Sequence, residues 1–333
     1  MLINPSKLMF LFTLISGTLM SISSSTWMGM WMGLEMNLLS FIPLMNKYNT
    51  PYETESSMKY FLVQAIASVV FLMSVLISGM MMFETKMSGE YLISLALLMK
   101  MGAAPLHFWF PGVMEGLDWL NCFILMTWQK IAPFILISYK MTMNNLFIMT
   151  ILMSTLIGSV GGLNQNSVRK LMAYSSISHL GWMMSAMLIS KSMWSIYFLI
   201  YSLMNFAMIY LFHKQSMFYL SQSYYMKNNK PLIKFSMFIS MLSLAGLPPF
   251  LGFLPKWLVI QNMIYQGHYL IMIFMVMTTL MTLFFYMRVM FSSFLFMNQE
   301  IMWENLNSTG SFMLSPIMIS IIGIPITIWM FLY

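Results

Sequence analysis

Four ionisable residues, Glu35, Lys100, Lys130 and Lys256, sit near the middle of apolar runs long enough to cross a membrane. A charged side chain at that depth costs about 2.5–3.5 kcal/mol on insertion scales. A chain with 16 basic and 9 acidic residues among 333 has room to keep such groups in its loops. Their retention points to carriage of charge through the bilayer. Desolvation disfavours the charged form of a buried amine, so its protonated and neutral forms approach balance and it can take or release a proton as a neighbouring charge comes and goes. Glu35 can neutralise Lys100 across helices, either as a switch or as a static buried ion pair that only fastens helices together. Lys130 lies within the run from Trp119 to Tyr139, too far from either end to snorkel to an interface. His179 ends the polar stripe Ser175-Ser176-Ile177-Ser178-His179 on an otherwise apolar run. Such groups can hold water and relay protons, or the histidine can simply be packed and satisfied by one hydrogen bond. For His107 a structural role and a relay role stay equally open.

The elements that position these residues carry an internal repeat. Gly102-Ala-Ala-Pro105-Leu-His-Phe-Trp-Phe-Pro111 and Gly246-Leu-Pro248-Pro249-Phe-Leu-Gly-Phe-Leu-Pro255 share a glycine followed by prolines at +3 and +9, at an offset of 144 residues. The same offset maps Glu35 onto His179. Proline withholds a backbone donor and clashes with the preceding turn, so each span is expected to open at its Gly-Pro segment. Unwound backbone at membrane depth survives only against protein or a water-filled cavity. Five spans separate the two copies, an odd step that inverts their orientation. Paired broken helices in inverted repeats point to a transport site near the bilayer midplane.

Hydrophobic residues make up 59% of the chain and charged residues 8%, against roughly 25% charged in average soluble domains. The expected fold is all-α and polytopic, one membrane domain over 1–333. Eleven spans are expected, near 4–22, 25–46, 57–82, 88–116, 119–139, 145–163, 169–189, 193–213, 231–266, 268–295 and 312–332, the fourth and ninth broken. The repeats then occupy 1–140 and 145–295, with 312–332 as a final span. Nine Lys and Arg fall in the loops on the N-terminal side against three on the other, which places the N-terminus inside. The run after Lys7 has no small-residue cleavage site and reads as a retained first helix. The basic loop 214–234 reads as a solvated connection, with a membrane-surface or partner contact as the alternative. One cysteine (Cys122) and four scattered histidines rule out a disulfide framework and cysteine-held metal or cluster sites. With neither a glycine-rich nucleotide loop nor a nucleophilic triad, redox chemistry and hydrolysis by this chain alone are excluded.

The stretch Arg169-Lys170-Leu-Met-Ala-Tyr174-Ser-Ser-Ile-Ser-His179-Leu-Gly-Trp182 resembles the signature of the antiporter-like membrane subunits of respiratory complex I. Trp31-Met-Gly-Leu-Glu35, Lys100-Met-Gly-Ala-Ala-Pro105, Thr127-Trp-Gln-Lys130-Ile-Ala-Pro133 and the Gly246–Lys256 stretch, in this order, narrow it to the mitochondrial NADH:ubiquinone oxidoreductase branch. The 45 methionines resemble insect mitochondrial products. The resemblance implies a proton-translocating subunit in the inner mitochondrial membrane, its N-terminus in the matrix. Glu35 and Lys100 would form the input pair, Lys130 and Lys256 would continue a hydrated path, and His179 would relay between them. It further implies that NADH, FMN, iron–sulfur clusters and ubiquinone belong to other subunits and that this chain binds no cofactor. Implied partners are a neighbouring antiporter-like subunit, small membrane subunits and phospholipids such as cardiolipin, with no nucleic acid. A stand-alone cation/proton antiporter and a non-pumping membrane scaffold are the competing readings.

Overall fold

Away from water a backbone must satisfy its own polar groups, and a chain this apolar does so as helices. The computed structural model describes residues 5–47, 50–80, 83–140, 145–224, 231–295 and 320, and is mostly helical. The chain divides into two compact units between Thr150 and Ile151. The first holds α1 (Pro5–Ser23), α2 (Trp27–Met45), α3 (Pro51–Met80), α4 (Phe83–Met101), α5 (Trp109–Gly116), α6 (Trp119–Met126) and α7 (Trp128–Ser138). Helix α8 (Asn145–Gly162) runs through the dividing point. The second unit continues with α9 (Val168–Ile189), α10 (Lys191–Gln215), α11 (Ser221–Tyr224), α12 (Pro231–Ala245), α13 (Phe253–Tyr265) and α14 (Tyr269–Leu295).

The helices are sorted inside out relative to a soluble protein. On α3, Leu62, Ile66, Val69, Met73 and Leu76 recur at helical spacing and are exposed, while Gln64, Ser68 and Ser74 on other faces are buried. An apolar face turned outward and a polar face turned inward suit a lipid solvent. Among the described residues six helical stretches are long and apolar enough to cross a membrane: Pro5–Ser23, Pro51–Gly79, Trp119–Ser138, Asn145–Gly162, Lys191–Gln215 and Tyr269–Phe291. Helix α9 is absent from that group for a physical reason. From Ser175 to Met187 every residue is buried, so protein covers it on all sides and it can carry four serines and a histidine.

Close packing places α1 against α2. A Cβ on Gly33 would stand 2.5 Å from the Ser21 nitrogen and 2.8 Å from the Gly17 carbonyl oxygen, a separation only glycine permits. The run 119–139, expected as one span, forms one stretch long enough to cross, with an interruption at Thr127 between α6 and α7. The Thr127 hydroxyl donates to the Phe123 carbonyl at 2.7 Å, and Pro133 withholds a donor from the turn that follows. The 214–234 connection contains α11 and an isolated antiparallel bridge between Ser167 and Tyr219. The expected last span, 312–332, lies outside the described residues except for Ser320.

Candidate functional site

In the first unit the chain leaves α4 at Met101, turns through Gly102 at φ +72° and resumes as α5 at Trp109. A positive φ is open to glycine at little steric cost. The carbonyls at the end of α4 find partners outside their own helix. Gln64 Nε2 donates to the Lys100 carbonyl at 3.3 Å, and the Trp109 indole donates to the Met99 carbonyl at 3.1 Å. His107 Nδ1 lies 3.2 Å from the Pro105 carbonyl, which ties it into the open segment. Pro105 occupies that segment. Pro111 does not: it stands in the first turn of α5, where a missing N–H is harmless, so it starts the second half without opening the helix.

The Lys100 side chain, 7% exposed, and the Lys130 side chain, 1% exposed, line one cavity of about 20 Å³. Asn37, Tyr60, Gln64 and Gln129 supply its polar wall, and Gln129 Nε2 donates to Asn37 Oδ1 at 3.0 Å. A polar cavity of that size holds about one water molecule. Lys130 Nζ also lies 5.1 Å from the centre of the Phe110 ring. Lys100 Nζ and Glu35 Oε1 are both buried and have no hydrogen-bond partner among the described residues. Glu35 acts electrostatically on Lys100 and on Tyr60. The ion pairs in contact among the described residues are Lys47–Asp118, Lys59–Glu55 and Lys140–Glu90, so Glu35 and Lys100 influence each other without touching.

In the second unit α12 ends at Ala245, Gly246 turns the chain at φ +81°, and α13 starts at Phe253. Pro248 and Pro249 lie in the open segment, and Pro255, like Pro111, stands in the first turn of the following helix. Lys256 is buried and donates from Nζ to the Ala245 carbonyl at 2.7 Å, with the Trp182 ring centre 6.0 Å away. His179 Nδ1 lies 3.0 Å from the Tyr197 hydroxyl, and its ring packs 5.1 Å from that of Tyr201. The serines of the α9 stripe are less free than their spacing implied. Ser175, Ser176 and Ser178 donate to the carbonyls of Met172, Ala173 and Ser175 on their own helix, so only their lone pairs face other groups.

Sequence reasoning missed the polar residues around the charges. Gln64 stands alone among apolar neighbours, and Tyr60 and Gln129 stand beside Lys59 and Lys130, whose charge carries the local signal. Tyr197, Tyr201 and Asn205 carry one of their own, a polar side chain at every fourth position of an apolar helix. Among the described residues no group of three or more His, Cys, Asp or Glu side chains is arranged to hold a metal ion. The arrangement suits proton transfer: buried amines beside a hydrophilic cavity, hydroxyls and amides that donate and accept, and an acid that acts at a distance.

Two buried broken helices with lysines at the breaks define an antiporter-like membrane fold, and comparison with known proteins agrees. The profile of the family described as NADH:quinone oxidoreductase/Mrp antiporter, TM, matches residues 24–282. NADH-ubiquinone oxidoreductase chain 2 of Anopheles gambiae is 51% identical, covering 93% of this chain and 92% of its own length. The protein of the same name from Locusta migratoria is 46% identical, covering 90% of this chain and 89% of its own. A chain in the structure of respiratory complex I from Thermus thermophilus with bound aureothin superposes at a TM-score of 0.81 with 21% identity, over 96% of this chain and 76% of that one. The chain belongs to the NADH-ubiquinone oxidoreductase chain 2 family, within the wider NADH:quinone oxidoreductase/Mrp antiporter family.

Proposed function

We propose that this chain is a proton-translocating membrane subunit of NADH:ubiquinone oxidoreductase, coupling NADH oxidation and quinone reduction in other subunits to proton movement across the mitochondrial inner membrane. The observation that carries the reading is the cavity lined by both Lys100 and Lys130. Two buried amines on one polar cavity can exchange a proton through water without exposing either to lipid. Glu35 and Lys100 act as the input pair and Lys130 receives from them. His179 and Lys256 continue the path.

The finer reading has eleven spans with the N-terminus on the matrix side and two inverted repeats, each built around one of the broken helices. NADH, FMN, iron–sulfur clusters and ubiquinone are held elsewhere in the assembly. A neighbouring antiporter-like subunit, small membrane subunits and phospholipids including cardiolipin surround this chain. The close relationship to named chain 2 proteins supports this setting.

The test is Lys130→Met in the assembled complex, read as protons moved per NADH oxidised in sealed inner-membrane vesicles. Pumping is expected to fall sharply in complexes that assemble at wild-type abundance. Failed assembly with normal pumping per surviving complex would instead assign Lys130 a purely architectural role.

A further inference from the structure

Tyr197, Tyr201 and Asn205 recur at every fourth position of α10 and are all buried. On the same helix Ile196, Leu199, Leu203 and Phe206 are exposed, so α10 turns its polar stripe inward and its apolar face outward. A phenol taken from water into an apolar interior loses free energy unless its hydroxyl is paired, a loss that phenylalanine avoids. Packing alone therefore accounts for rings along this stripe but not for hydroxyls.

The hydroxyls have defined neighbours. Tyr197 Oη lies 3.0 Å from His179 Nδ1. Tyr201 lies near Ser176 and Asn205, and Tyr286 on α14 near Ser175. Other ionisable groups on the helices packed against α9 are Tyr201 on α10, whose ring lies 5.1 Å from that of His179, and Lys256 on α13, which meets α9 at Trp182. Helix α8 packs on α9 at Ser178 and Gly181 through Gly158, Ser154 and Thr155, none of which titrates.

We infer that Tyr197 is a positioning residue that lets His179 change charge without losing its partner, an inference that rests on His179 taking part in proton transfer. A hydroxyl both donates and accepts. Towards neutral imidazole with its proton on Nε2, the Tyr197 O–H donates to Nδ1. When His179 gains a second proton at Nδ1, the phenol rotates and accepts from it. The contact between the Tyr197 hydroxyl and Nδ1 is kept in both charge states with no heavy-atom movement.

The experiment measures the pH profile of NADH-driven proton pumping per assembled complex in sealed vesicles. Tyr197→Phe keeps the ring and is expected to displace the profile by about one pH unit, a tenfold change in the protonation equilibrium. With His179 replaced by Asn, adding Tyr197→Phe is expected to cause no further displacement. Tyr201→Phe keeps the ring that packs 5.1 Å from that of His179 and is expected to leave the profile in place. A Tyr197→Phe profile that superimposes on wild type overturns the inference, as does a displacement that persists in the His179→Asn background. If Tyr197→Phe does not assemble, Tyr197→Gln takes its place: its amide donates and accepts, and a profile near wild type is expected, whereas a full-unit displacement overturns the inference. Normal pumping by Lys130→Met would defeat the pumping reading through a separate variant, so the two failures are told apart.

Discussion

Lys256 Nζ donates to the carbonyl oxygen of Ala245, 2.7 Å away, so the lysine that follows the second break also closes the end of the helix that precedes it. The first break solves the same problem with neutral donors, Gln64 and Trp109. On the proposed path, one side chain in the second unit thus joins proton exchange to the hold on an orphaned carbonyl. Lys256→Met is expected to lower both pumping and stability, the latter by about 1–3 kcal/mol for a buried acceptor left unpaired. Lys256→Gln keeps a donor without a protonatable amine. It should recover much of the thermal-inactivation midpoint but none of the pumping, and equal recovery of both would show that pumping needs the cap and not a proton on the amine.

At the first break the cap can be removed without touching a charge. Trp109→Phe leaves an aromatic ring between Tyr60 and Phe110, whose centroids lie 5.8 Å and 5.5 Å from that of Trp109. Only the indole bond to the Met99 carbonyl is lost. The expected result is a stability loss of about 1 kcal/mol, read as a lower thermal-inactivation midpoint, with pumping per complex close to wild type. A large loss of pumping at unchanged stability would move Trp109 into the proton path.

Glu35 acts on Lys100 without contact, which separates its electrical role from its architectural one. Glu35→Gln removes the charge while breaking no ion pair among the described residues. Coupling should therefore weaken more than assembly does, seen as fewer protons moved per NADH oxidised at near-normal complex content. Wild-type stoichiometry and rate in this variant would remove Glu35 from the input pair.

The division between what was legible and what was not follows physical lines. The four charges could be read because each stands alone against an apolar background, and the breaks because glycine and proline act through local backbone geometry, as the φ of +72° at Gly102 and +81° at Gly246 attest. The limits of each break were less legible. Pro111 and Pro255 fit the first turn of a helix as well as they fit a break, and the choice depends on where the next hydrogen bonds form. Thr127 divides α6 from α7 through a side-chain bond to Phe123 that spacing does not announce. Gln64 and Gln129 acquire meaning only when helices distant in sequence bring them to one cavity. The stripe on α10 was written plainly, at Tyr197, Tyr201 and Asn205, but its polarity is modest beside that of a lysine.

The packing of α1 on α2 yields a prediction read first as assembly. Gly33 faces backbone, with Ser21 N at 2.5 Å and Gly17 O at 2.8 Å from the place a Cβ would occupy, and backbone in a helix cannot give way as a flexible side chain can. Gly33→Ala must therefore push the two helices apart, at about 1–3 kcal/mol or more. Gly79, near the end of α3, supplies the matched control because nothing lies within 4 Å of the place its methyl would occupy. Gly79→Ala should leave the abundance of assembled complex on native gels unchanged, while Gly33→Ala lowers it. Pumping per surviving complex should stay at the wild-type level in Gly79→Ala, whereas in Gly33→Ala it falls as well, because Gly33 stands two residues from Glu35 on α2. Equal abundance of the two variants would mean that the α1–α2 contact adjusts by sliding, and that small residues at Gly17 and Gly33 are not what fixes it.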